Sequence, residues 1–224
     1  MRRFDFGDFH VLFRSILLCL SLCLGYILTP LSAQADSCRD EIAALYSGGA
    51  LDPFARPARR EVTMRVMPDG SESLVTDVEW EAVTRSISES GGAFYLVHGR
   101  RMWSGPSREG PWTDTGSPLP EDFEEMTREM ADQNAANISQ AECPGEVEID
   151  GQRRIKCVYR TKTDPNRHGS WFGGLYTAYL DIETGQLMRL EVRETIASWA
   201  PDPAPHTDIT NVTYDPSIRI TAPD

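Results

Sequence analysis

From Glu61 onward the chain is written in runs of alternating apolar and polar residues, each closed by a turn signal, and this period of two leaves few folds open. EVTMRVM puts Val62, Met64 and Val66 on one face before Pro68-Asp69-Gly70 turns the chain. LVTDVEWEAV alternates Leu74, Thr76, Val78, Trp80 and Ala82 against Val75, Asp77, Glu79, Glu81 and Val83. AFYLVHGRRMW reads as a third strand, apolar enough at its start to be covered on both sides. Further on, CPGEVEIDGQRRIKC turns at Asp150-Gly151 and YLDIETGQLMRLEVRE turns at Thr184-Gly185. Between them SWFGGLYTAYLDI alternates Phe172, Tyr176, Ala178, Leu180 and Ile182, and Gly173-Gly174 inside it marks a bulge, a bend or the close approach of another backbone. TDITNVTYDPSIRITAP supplies the last strand. Successive hairpins of this kind build an antiparallel sheet.

One segment carries a long helical signal, LPEDFEEMTREMADQNAANI, with acids in its first turn and Phe123, Met126, Met130 and Ile138 marking a drifting face. Its methionines suit either irregular core packing or a surface that adapts to apolar partners, and core packing is the preferred reading. A shorter helix is predicted over Asp36 to Ser47, capped by Ser37, with Ile42, Leu45 and Tyr46 on one face. Trp103 and Trp112 flank the Gly- and Pro-rich loop SGPSREGPWTDTGSPLP, and they are expected to pin it to the core, the alternative being that they line a ligand opening or a partner patch. The order is helix, three strands, loop, helix and about five strands. The expected fold is α+β, a single curved antiparallel sheet forming an incomplete β-barrel wrapped around one long and one short helix.

Residues 1–35 read as a secretory signal: Arg2, Arg3 and Arg14, then the apolar run Ile16 to Leu28, then Ala33-Gln34-Ala35 as the cleavage site. That run has 13 residues, short of the about 20 that a membrane span needs. The expectation is a periplasmic or secreted protein cleaved after Ala35, without an integral span in the mature chain, whose residues 36–224 form one domain, a monomer. Taking three arginines and two acids from the 22 basic and 34 acidic residues leaves 19 and 32, a net charge of −13 for that domain. Such a charge repels nucleic acid and anionic lipid headgroups and chiefly serves solubility.

Cys38, Cys143 and Cys157 remain after cleavage, one bridge and one spare thiol in an oxidising compartment. With Ile149 opposite Gln152, Cys143 and Cys157 fall one residue short of direct opposition, within reach if a bulge near Pro144 shifts the ladder. A Cys143–Cys157 disulfide is predicted.

The stretches LDIETGQLMRLEVRE and VTYDPSIRITAP, with the paired tryptophans of GRRMWSGPSREGPW, resemble the periplasmic lipoprotein-carrier family, the lipoprotein localisation factor A-like group with its mycobacterial lipid-binding relatives. The resemblance implies an apolar cavity between a concave sheet and its helices, holding an acyl chain or a lipidated partner. The bulky residues of the one-sided strands, Met64, Val78, Trp80, Phe94, Leu96, Trp103, Tyr176 and Leu190, are the candidate lining.

No catalytic residue, metal site or cofactor is predicted. His98, His168 and His206 lie far apart, without the i, i+2 or i, i+4 spacing of metal ligands, and there is no nucleophile elbow, phosphate loop or dinucleotide fingerprint. Asp77, Glu79 and Glu81 form a carboxylate row that suits a small secreted hydrolase or, more simply, a solvated strand face. The reading is a non-catalytic binder of an apolar ligand or lipidated protein; the alternative is an envelope interaction module with a filled interior.

Overall fold

Hairpin follows hairpin along most of the chain. The computed structural model describes residues 31–223; residues 1–30 of the leader, with its apolar run, lie outside them, while the expected cleavage site Ala33-Gln34-Ala35 falls within the first helix. Helix α1 spans Leu31–Leu45, starting ahead of the expected Asp36, so Ser37 stands inside it and donates its hydroxyl to Glu41 (3.0 Å) instead of capping. The strands are β1 (Arg59–Val66), β2 (Glu72–Ala82), β3 (Arg85–Ser90), β4 (Ala93–His98), β5 (Arg101–Gly105) and β6 (Thr113–Asp114). After helix α2 (Phe123–Ala136) come β7 (Ser139–Ile149), β8 (Gln152–Lys162), β9 (Phe172–Asp181), β10 (Leu187–Ala197) and β11 (Thr207–Tyr214).

They form one antiparallel sheet of 11 strands in the order β6-β5-β4-β3-β2-β1-β11-β10-β9-β8-β7. The sheet curves but does not close, and with the two helices among the described residues it is the incomplete barrel expected. Two meanders, β1 to β6 and β7 to β11, meet only where β1 pairs with β11. Three strands expected before α2 are six. The second expected strand ends at Val83 and a turn at Val83-Thr84 leads into β3, an unexpected strand; Gly99-Arg100 divides the third into β4 and β5, and β6 lies in the stretch read as a loop. The β7–β8 turn has positive φ at both Asp150 (52°) and Gly151 (73°), the geometry that matches strand twist in a two-residue hairpin.

Residues paired across antiparallel strands share a face, so the register sorts the whole sheet. Glu61, Val78, Ser88 and Tyr95 follow one another on the face turned to the helices. Thr63, Thr210, Leu190, Ala178 and Cys157 continue that face through the other meander. Glu79, Ile87, Leu96 and Trp103 lie on the opposite, outer face.

Each face has its own core. On the helix face Cys38, Ile42 and Tyr46 of α1 and Ala131 of α2 bury against Cys157, Tyr159, Ala178, Leu180, Leu187 and Val212. The outer core joins Leu96 and Trp103 to Ile220 of the C-terminal tail, with Trp112, Ile87 and Ile218 packed on it. Trp112 lies so close to Gly105 that a Cβ there would stand 2.9 Å from its ring, so the two tryptophans do pin their loop. A Cβ on Gly173 would meet Thr161 O at 2.6 Å and one on Gly174 would meet Arg193 O at 2.9 Å, the close backbone approach that the sequence allowed for.

The disulfide joins Cys38 of α1 to Cys143 of β7, with Cα atoms 5.6 Å apart, and Cys157 is a buried free thiol. This corrects the predicted Cys143–Cys157 pairing. The required bulge is present: Glu142 pairs with Val158 and Gly145 with Lys156, leaving Cys143-Pro144 opposite Cys157. Opposed strand residues, however, hold their Cβ atoms about 4.5–5.5 Å apart, wider than the about 3.8 Å favoured in a disulfide. A helix lying across the sheet brings Cys38 toward Cys143 from above and meets the shorter distance. The bridge spans 105 residues, and closing a loop of that size lowers unfolded-state entropy by about 4–5 kcal/mol in the chain-entropy picture.

Candidate apolar binding cleft

Helix α2 turns its small residue inward. Ala131 is its one buried residue, while Met126 and Met130, one turn apart, are 40 % and 38 % exposed. The helix is held in that rotation at its C-terminal end. Thr161 Oγ1 of β8 donates to Asn134 O (2.7 Å), Asn137 Nδ2 donates to Lys162 O (2.8 Å), and Asp164 N donates to Gln133 Oε1 (3.1 Å). The core reading of the two methionines is therefore corrected: anchoring at Ala131 and Asn134 leaves their face outward.

Opposite this stripe stands the β8–β9 connection, residues 163–171. Asn166 folds it locally, its Oδ1 accepting from His168 N (2.9 Å) and Ser170 N (3.0 Å) while Gly169 takes a positive φ of 75°. Arg167 Nη1 donates to Asp122 Oδ2 (3.1 Å) just before α2, tying the connection to the start of the helix. Phe172, the first residue of β9, follows on the helix face and is 37 % exposed. The β10–β11 connection supplies Trp199, held by hydrogen bonds from Ala197 N to Ala200 O (2.9 Å) and from Ser198 N to Trp171 O (2.9 Å). Its own side chain is 75 % exposed.

Met126, Met130, Phe172 and Trp199 enclose a cleft of about 620 Å³ with a polar rim that includes Asp122, Glu129, Asp164, Arg167 and His168. That volume lies in the range of small-molecule sites, about 300–1,000 Å³. Exposed Met side chains adapt to varied apolar shapes, and Trp offers a large apolar face. Chemically the cleft offers burial and orientation.

No protein-family model matches the chain, and no curated protein is significantly similar to it. Among solved structures, the lipoprotein LppX of Mycobacterium tuberculosis superposes with a TM-score of 0.51 at 11 % identity, over 83 % of this chain and 99 % of LppX. The chain has an LppX-like fold. LprF from Mycobacterium bovis aligns with a TM-score of 0.43 at 12 % identity, over 82 % of this chain and 96 % of its own. A LolA superfamily protein from Nitrosomonas europaea aligns with a TM-score of 0.26 at 11 % identity, over 80 % and 91 %. The resemblance read from the sequence holds at the level of fold, on the LppX superposition.

Within the LppX-like sheet the eight candidate lining residues divide between the two faces. Val78, Trp80, Tyr176 and Leu190 lie on the helix face, and Met64, Phe94, Leu96 and Trp103 on the outer one. Trp80 Nε1 donates to Glu61 Oε2 (3.0 Å), a carboxylate also paired with Arg56 and Arg59. Tyr176 stacks on Tyr159 at 5.5 Å between ring centroids, and burial pushes its hydroxyl pKa up to about 12. None of the eight lines the cleft. Its own apolar residues lay in stretches whose sequence signal was ambiguous: a methionine pair on a helix, an aromatic before two glycines, a tryptophan in a Pro-rich connector.

Asp77, Glu79 and Glu81 sit on the outer face, each with a partner. Asp77 takes Arg60 in a two-bond grip (2.8 and 2.6 Å) and Arg108 at 3.0 Å; Arg108 reaches Glu79 at 3.4 Å. Glu81 pairs with Arg85 (3.0 Å) and accepts from Ile220 N (2.8 Å). The row ties β1, β2, the 106–112 loop and the tail together. No helix among the described residues is long and apolar enough to cross a membrane.

Proposed function

We propose that this is a non-catalytic periplasmic or secreted protein that takes up an acyl chain, free or as the anchor of a lipidated partner, in the cleft between α2 and the β8–β9 and β10–β11 connections. The carrying observation is the convergence there of Met126, Met130, Phe172 and Trp199, each more than a third exposed although large and apolar. A chain burying about ten methylenes gains on the order of 8 kcal/mol, before the several kcal/mol that ordering it costs. Under β7 to β11 the concave side is filled by α1 and by the Tyr46, Tyr159 and Tyr176 side chains. The ligand therefore sits at the end of the concave face, where Phe172 continues it.

Lipid extraction and native mass spectrometry of protein purified from the periplasm, with titration of a fluorescent apolar dye, test the reading. Bound lipid or micromolar dye affinity is expected in the wild type. A Trp199→Ala, Met130→Gln double variant should lose at least tenfold in affinity while keeping the wild-type fold, because neither side chain belongs to a buried core. A protein that carries no lipid and takes up no dye overturns the proposal. The filled concave side favours a second reading, an envelope docking module, for which a photocrosslinker at Trp199 should capture a protein and no lipid.

A further inference from the structure

We propose that Cys143 has two disulfide partners, and that exchange of its bond from Cys38 to Cys157 frees helix α1 of its covalent tie to the sheet. The three cysteines share one core. Cys38 (5 % exposed) and Cys157 (6 %) are buried in the same cluster, and Cys143 packs against it. The β7 bulge sets Cys143-Pro144 opposite Cys157 on the neighbouring strand. Cys143 is thus bonded to the helix above it and flanked by a thiol beside it. A third cysteine buried next to a disulfide is more than a spare, because a neighbouring sulfur, once ionised, can attack the disulfide without any other reagent.

In the exchange the Cys157 thiolate attacks the Cys143 sulfur. A Cys143–Cys157 bond forms, the Cys38–Cys143 bond breaks, and Cys38 leaves as a thiolate that takes up a proton. One disulfide and one thiol stand on each side, so no oxidant or reductant is consumed. Burial, reinforced by Glu41, pushes the Cys157 thiol pKa up, which holds the exchange slow near neutral pH and speeds it as pH rises. Its product carries the wider Cβ separation of a cross-strand bridge, so the helix-linked form is the ground state and the exchanged form a minor one. Without the tie, α1 is held by the packing of Ile42 and Tyr46 and the Tyr46–Tyr159 hydrogen bond, so local opening that uncovers Tyr159 and Tyr176 on the helix face becomes more frequent. The consequence for ligand capacity rests on the binding reading above; the exchange itself does not.

Peptide mapping after alkylation separates the two. Wild-type monomer held at alkaline pH without added thiol, then acid-quenched and labelled under denaturing conditions, should carry label on Cys38 at the expense of Cys157. The Cys157→Ser variant should show no label on Cys38. Folded Cys38→Ser, treated with oxidised glutathione, should lose both free thiols to a Cys143–Cys157 bridge, and its residues 36–46 should lose hydrogen-exchange protection. Label confined to Cys157 in the wild type overturns the proposal even if Cys38→Ser fails to fold; so does a folded Cys38→Ser whose two thiols both stay free. Dye binding plays no part in these readouts, so failure of the acyl-binding reading would leave them intact.

Discussion

Tyr46 and Tyr159 meet hydroxyl to hydroxyl at 2.9 Å inside the helix-face core, with rings at 90° and centroids 6.3 Å apart. Burial drives both phenol pKa values far up, so the pair stays neutral at any physiological pH and one hydroxyl simply donates to the other. Each is the other's answer to burial, and this makes a single deletion worse than a double one. Tyr46→Phe leaves the Tyr159 hydroxyl, at 0 % exposure, without that partner, at a cost of about 1–3 kcal/mol. Tyr46→Phe with Tyr159→Phe removes both and should fall close to wild type. Chemical denaturation of the two singles and the double measures this; additive losses would show that the hydroxyls find other partners.

At the scale of elements, strands β1 and β2 are clasped on their outer face by Arg60, Asp77 and Arg108. The Arg60 guanidinium, then the charge of Arg108, hold the Asp77 carboxyl below its ordinary range. A depressed folded pKa contributes stability that is fully present above the unfolded value, about 3.9 for Asp, and is lost as pH falls through the lower folded value. The gap in urea midpoint between wild type and Asp77→Asn should therefore be constant above about pH 5 and shrink on acidification; a gap that ignores pH would sink the account. These elements were unevenly legible. Asp150-Gly151 and Thr184-Gly185 announce their hairpins because only certain residues accept positive φ. Val83-Thr84 announces nothing: two β-branched residues form the β2–β3 turn, and β3 beyond them, RSISES, offers only Ile87 as an apolar residue, too little to show an alternation. The cleft was harder still. Helical periodicity finds a methionine stripe on α2 but does not say that Ala131, with one methyl group, faces the core. Trp199 belongs to a connector whose path is set by neighbours distant in sequence, Trp171 among them.

The whole molecule is a sheet whose raw edges are kept short or broken. Strand β6 has 2 residues, and β7 carries Pro144, Gly145 and two register shifts along its length. Nothing comparable protects β1 and β10, because β11 lies between them. A chain ended before Thr207 should lose that shield and aggregate through two long unpaired strands; light scattering from the purified truncation checks this, and a soluble monomer would contradict it. The β1–β11 ladder also dictates timing. Each meander zips up from local hairpins in chain order, but the seam joining them pairs Arg59 with Tyr214, and such long-range closure is slow. A polypeptide threaded from its N-terminus delivers β11 after every other strand, so the centre of the sheet is the last part assembled. Until then the protein is two half-sheets on one thread, each offering its neighbour's place to any passing strand, and that interval is when a chaperone would have most to do.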